Sequence, residues 1–319
     1  MKRLLLLVLI VPFIGTNDLK AQDPAFSQFY ANPLYLNPAL AGSAQCPRVV
    51  LNYRNQWPGI PATYVTYSAS FDQYVDALHG GIGLQAYHDR AGTGIINTNH
   101  VSGMYAYQTP VDRNISVKAA FQATYYQRSI DWSQLTFGDQ IHSRYGFIYQ
   151  TQETPINQNV NKLDFSTGFL VFTDVLYGGL SVHHLAQPDE SFFPTSESRL
   201  PRKYTGHAGA LIPMNRDRKE DGSISPNIVY QRQGEFNHLN LGLYVNRGPI
   251  TGGVWYRWGD ALIFLVGLYT DQFRFGYSYD VTVSRLGTQT LGSHEISVTM
   301  MFPCKPKGRK FRPMACPKF

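Results

Sequence analysis

The chain has 319 residues, and Gly, Tyr and Phe are spread evenly along it with no Pro/Ser-rich linker, which argues for one domain. The formal charge of +6 is unevenly placed, because residues 303–319 hold six basic side chains and no acid. Past residue 14 no run is apolar and long enough for a membrane helix, so any membrane insertion must use strands.

Lys2 and Arg3 precede an apolar run from Leu4 to Ile14 that is too short to span a bilayer. With Ala21 as the small residue at the cleavage point, residues 1–21 read as a secretory signal peptide, and the mature chain is expected to start at Gln22. No cysteine follows closely, which argues against a lipid anchor. Residues 22–47 have no strand period. Asn32-Pro33 and Asn37-Pro38 each suit a helix start, with Asn as N-cap and Pro in the first turn, and Gly42 suits a stop. Two short helical turns are expected, in an N-terminal periplasmic arm lying outside the barrel wall described next or in its mouth. Phe26, Phe29, Tyr30 and Tyr35 argue that the arm packs on something, and Asn37 and Pro38 are candidate partner-binding residues.

From Arg48 onward the pattern changes to a period of two. Phe273, Phe275, Tyr277, Tyr279, Val281 and Val283 alternate with Arg274, Gly276, Ser278, Asp280, Thr282 and Ser284. Successive strand side chains point to opposite faces, so this is a strand with one apolar and one polar side. A soluble sandwich strand alternates too. Length near ten residues and an aromatic-rich apolar face favour a transmembrane barrel strand. Similar segments are read at 48–57, 62–72, 80–89, 96–108, 113–126, 161–172, 175–184, 202–213, 223–233, 236–246, 249–258, 261–270, 272–284 and 291–302. Residues 48–302 are therefore expected to form an all-β, transmembrane antiparallel β-barrel of about fourteen strands. Leu241, Leu243 and Val245 should face lipid, and Asn240, Tyr244 and Asn246 the lumen.

An even strand number puts both chain ends on one side, the periplasm, and alternates the connections. The two longest, Gln127–Val160 and Leu185–Pro201, then fall together on the outside, the asymmetry typical of such barrels. Trp132 and Phe137 in the first are candidate partner contacts. On the opposite side, the basic tail 303–319 offers Lys307, Arg309, Lys310 and Arg312 to an acidic protein surface or to anionic lipid. Removing residues 1–21 takes away a net +2, so the arm and barrel together carry −2. Nucleic acid is excluded as a partner in that compartment.

Of the three cysteines, Cys46 lies just before the first strand and Cys304 just after the last. First and last strands of a closed barrel are neighbours about 4.7–4.9 Å apart, compatible with a disulfide at the seam. Cys304–Cys316 and Cys46–Cys316 remain as rival pairings. No catalytic residue, metal ligand set or cofactor motif is read: there is no His-Glu-x-x-His, paired-Cys zinc spacing, Gly-x-Ser-x-Gly elbow or Walker loop. His183 and His184, as strand neighbours, should point to opposite faces. The inward Lys118, Asp164, Arg257, Arg274, Asp280 and Glu295 are expected to pair across the lumen.

The arm and first strand, Phe26-Ser27-Gln28, Asn32-Pro33, Asn37-Pro38-Ala39, Ala41-Gly42 and Asn52 to Trp57, resemble the start of the PorP/SprF family. The end of the chain is similar too, in Gly276-Tyr277-Ser278-Tyr279-Asp280 and Ser293-His294-Glu295-Ile296-Ser297. These are outer-membrane proteins of the type IX secretion and gliding machinery of Bacteroidetes. The resemblance implies a non-enzymatic scaffold. Its periplasmic face would dock the machinery, and its outer loops would hold secreted or surface cargo. The alternative is a hydrophobic-nutrient transporter similar to the FadL family, whose N-terminal hatch carries an Asn-Pro-Ala triplet like Asn37-Pro38-Ala39.

Overall fold

The alternation seen in the sequence becomes a continuous wall. The computed structural model describes residues 22–61, 63–152, 157–193, 197–215, 222–284 and 290–304. The segment 1–21, the tail residues Lys307, Arg309, Lys310 and Arg312, and Cys316 lie outside the described residues. The chain runs through β1 (Arg48–Gln56), β2 (Tyr64–Val75), β3 (Gly80–Ala91), β4 (Ile96–Pro110) and β5 (Ser116–Ile130). A two-rung hairpin, β6 (Ile141–His142) and β7 (Gly146–Phe147), stands apart from the wall. The wall resumes with β8 (Asn159–Phe172), β9 (Leu176–His183) and β10 (Lys203–Ala210), which β11 (Ile212–Pro213) continues. It ends with β12 (Ser223–Gln233), β13 (Phe236–Arg247), β14 (Ile250–Arg257), β15 (Ala261–Tyr269), β16 (Phe273–Thr282) and β17 (Ser293–Met301).

Every neighbouring pair is antiparallel, β10 pairs with β12, and β1 pairs with β17 from Arg48↔Met301 to Gln56↔Ser293. The sheet therefore closes on itself as a fourteen-stranded barrel, as the period-two reading predicts. Strand limits differ from the expected ones by a few residues. β5 starts at Ser116 because Val111 and Asp112 donate backbone hydrogen bonds to Ile115, folding that stretch into a turn. Leu241, Leu243 and Val245 face outward, while Asn240, Tyr244 and Asn246 are buried inside.

The long connections 131–158 and 184–202 leave from one end of the barrel, called here the loop end. The other end carries both chain flanks, where Cys46 and Cys304 are joined with their Cα atoms 5.5 Å apart; it is called the disulfide end.

The arm departs from expectation in its place. It does form α1 (Pro33–Leu36) and single 3-10 turns at Phe29–Ala31 and Pro38–Leu40. It lies neither outside the wall nor in its mouth. It threads the lumen from Asp23 at the loop end to Gly42 at the disulfide end. The cause is in the wall. Among its inward-facing residues, Met104, Leu170, Phe172, Tyr177, Val229, Tyr244, Trp255, Ile263 and Leu265 are apolar or aromatic, and the arm supplies Phe29, Tyr30, Leu34, Leu36 and Leu40 to cover them. A water-filled lumen would leave both sets wet.

Candidate functional site

The feature that decides what this barrel can do is the contact between arm and wall. At the loop end Asp23 meets His184 (2.9 Å) and Lys203 (3.4 Å), and its backbone N–H donates to Gln233. The other ring nitrogen of His184 lies 2.6 Å from Asp164. Burial works against a charge on His184, but Asp23 and Asp164 outweigh it, and its pKa is pushed up to about 10. His183 and His184 do not point to opposite faces. The strand ends at His183, and His184 takes a left-handed backbone (φ 59°), so both rings are buried on the lumen side. Among the described residues no group of His, Cys, Asp and Glu is arranged to hold a metal ion.

Further down, Ser27 and Gln28 meet a charged cluster. The Ser27 N–H donates to Glu295 (2.7 Å) and its hydroxyl to Asp280 (2.5 Å). Arg54 donates to the same two carboxylates at 3.0 and 2.9 Å and to the Ser27 hydroxyl at 2.8 Å. Arg257 also reaches the Ser27 hydroxyl, at 3.1 Å. The Gln28 side chain donates to the Glu295 carbonyl and accepts from Ser297. Segments of the sequence that resemble the PorP/SprF pattern thus converge here: Phe26-Ser27-Gln28, the strand with Arg54, and the strands with Asp280 and Glu295. The expected pairing across the lumen is present, Asp280 meeting Arg257 at 3.8 Å and both carboxylates meeting Arg54, and the same groups also grip the arm.

In the middle, Asn37 caps the 3-10 turn by accepting from the Ala39 N–H, and its amide donates to the carbonyls of Phe169 and Leu180 at 3.2 Å each. Gly168 makes room for it: a Cβ there would lie 2.1 Å from the Asn37 side-chain oxygen. Asn37 and Pro38, candidates for partner binding, are fully buried against β8 and β9. At the disulfide end Lys118 donates to the Ala41 carbonyl (2.6 Å), and Asp72 accepts from the Gly42 N–H (2.8 Å) while paired with Arg48. A Cβ on Gly81 would sit 2.1 Å from the Ala41 carbonyl oxygen, so the arm backbone lies directly on β3.

The loop end is covered a second time. Glu190, buried in the 184–202 connection, pairs with Arg128 and accepts from the Tyr126 hydroxyl. Trp132 and Phe137 stack at 5.6 Å, and Trp132 meets Phe193 of the other long connection at 6.2 Å. These two candidates are half-buried braces between loops. On and around the small hairpin Ile141, Tyr145, Phe147, Ile148 and Tyr149 are exposed, as is Phe193 of the other connection.

Sequence reasoning missed Ser27, Arg54, Asp23 and His184 as a working set. One signal pointed to it: β15, read ALIFLVGLY, is apolar on both faces, the mark of a strand buried on both sides.

Against known proteins, a family model described as "Type IX secretion system membrane protein PorP/SprF" matches residues 18–300. No curated protein matches the chain. Among solved structures, the outer membrane protein Omp33 of Acinetobacter baumannii is 8% identical, with TM-score 0.46, over 81% of this chain and 99% of that one. The toluene transporter TodX of P. putida is 9% identical, with TM-score 0.46, over 84% and 93%. A FadL homologue of Pseudomonas aeruginosa is 12% identical, with TM-score 0.43, over 82% and 93%.

Proposed function

Because this chain belongs to the PorP/SprF family of type IX secretion system membrane proteins, and so forms an outer-membrane barrel with partners in that machinery, we propose that it serves as a closed, non-enzymatic scaffold. Its disulfide end faces the periplasm and docks the machinery, with Lys307, Arg309, Lys310 and Arg312 steering an acidic partner surface. Its loop end faces outward and holds secreted or surface cargo.

The observation that carries this reading is the filled lumen. Phe29, Tyr30, Leu34, Leu36 and Leu40 are all buried within the barrel. At about 1.5–3 kcal/mol for each fully buried large apolar side chain, their withdrawal would cost on the order of 10 kcal/mol before any hydrogen bond is counted. Thermal motion does not open such a plug. A luminal transport route similar to that of the FadL family is disfavoured for the same reason, since Asn37-Pro38-Ala39 sits in the packed interior.

Pull-down from detergent-solubilised outer membrane is the test. Recovery of type IX components with the intact barrel is expected. Charge reversal at the four tail residues should weaken recovery most at low salt, with the gap to wild type closing as added salt screens the charges, while the barrel stays heat-modifiable. Recovery of no secretion component would overturn the scaffold role.

A further inference from the structure

The outward wall is bulky over most of its circumference, with Leu163 and Phe165 on β8, Leu180 on β9, and Phe264 and Val266 on β15. The sector formed by β4, β3, β2, β1 and β17 is different. Ala69 stands opposite Ala86 across β2 and β3, with Leu51 and Val101 beside them in the same cross-strand row. One row nearer the loop end, Tyr53, Tyr67, His88 and Asn99 stand side by side. Tyr53 and Tyr67 lie 5.2 Å apart, Tyr67 stacks on His88 at 6.4 Å, and His88 Nδ1 lies 2.7 Å from Asn99 Oδ1. Together they leave a notch of about 500 Å³, floored by two alanines, roofed by an aromatic shelf and flanked by Leu51, Val298 and Val101.

We propose that this notch is a binding site for one acyl chain of a phosphate-bearing lipid from the leaflet at the loop end. The notch opens on the membrane-facing side of the wall, so its occupant comes from the bilayer. Its floor and flanks carry only aliphatic side chains. Its polarity is graded in one direction: His88 and Asn99 edge the shelf, and the exposed Arg90 follows on the same face one step nearer the loop end. A lipid head would lie there, with its chain beneath the shelf. In a bilayer the gain comes from dispersion contacts that a void would forfeit, which favours a flexible chain able to follow the notch. The proposal does not depend on the scaffold role.

Native mass spectrometry of the full-length barrel in detergent, titrated separately with lipid A and with palmitoyl-oleoyl-phosphatidylglycerol, tests it. One adduct per barrel should survive activation that strips the others, with at least one of the two probes. Ala69→Phe and Ala86→Phe should each reduce that adduct about fivefold or more. Ala123→Phe, outward on β5 beyond the notch, should leave it unchanged. Should the Phe variants fail the heat-modifiability check for folding, Ala69→Val and Ala86→Val carry the same comparison. Absence of a retained adduct from the wild type with both probes, or equal retention in the floor variants, overturns the proposal. So does loss of a co-purifying membrane protein in those variants with lipid retention unchanged, which would put a protein in the notch.

Discussion

The two sides of the lumen hold the arm by different physics. On the side of β12 to β15, Val229, Tyr244, Trp255, Ile263 and Leu265 are apolar or aromatic, and Phe29 packs on Trp255 with ring centroids 4.8 Å apart. On the side of β1 to β3 and β17 the wall is polar. Asn32 accepts from Gln85 and donates to Ser68, and Ser27 and Gln28 hang on Glu295. Burial is strong but tolerates sliding. Hydrogen bonds to charged groups are directional and fix which arm residue faces which strand. One side supplies the holding energy and the other the register.

That division can be broken from either side. Trp255→Ala should have the largest effect, destabilising the barrel by about 3–5 kcal/mol in urea unfolding from micelles, the range for truncating a buried large aromatic. Glu295→Gln should cost less, about 1.5–3 kcal/mol, through weakened charged hydrogen bonds. Its signature should be different as well: a protease should gain access near Ser27 and Gln28 while the lower arm stays protected. Equal access along the whole arm in both variants would erase the distinction between holding and register.

The tie between Asp23 and His184 at the loop end responds to pH. The folded pKa of His184 is raised to about 10, against about 6.5 in an unfolded chain. Its contribution is therefore fully present below about 6.5 and is lost as pH rises through about 10. The stability gap between wild type and His184→Ala should be wide near neutrality and close by pH 11. A gap independent of pH would mean that His184 is held neutral. A smaller perturbation still is a tag placed directly ahead of Asp23. It should be reached by antibody from the same side of the membrane as a tag in the 141–147 hairpin, because the arm begins at the loop end.

Much of the wall was legible because its outward face obeys one rule. The Phe273 to Val283 alternation gave β16, and the positions of Gln127–Val160 and Leu185–Pro201 gave the pairing of long loops at one end. The arm's turns were legible from Asn-Pro pairs, and its location was not, because capping chemistry is local and says nothing of what surrounds a turn. The inward rows held the missing information. Tyr244, Trp255 and Ile263 stand with other apolar residues among the polar ones of the lumen, and such residues only make sense against an apolar occupant. Arg54, Asp280 and Glu295 lie in three strands, and the partner that brings them together, Ser27, is more than two hundred residues away from the last two. His184 escaped for another reason: its φ of 59° ends the alternation that would have turned it outward.

Ion conductance of the reconstituted wild-type barrel in a planar bilayer shows most directly whether the arm fills the lumen permanently. The barrel should insert without steady conductance, with the arm protected from protease in the same preparation. A stable open conductance from the unmodified protein, with its arm still attached, would contradict permanent filling.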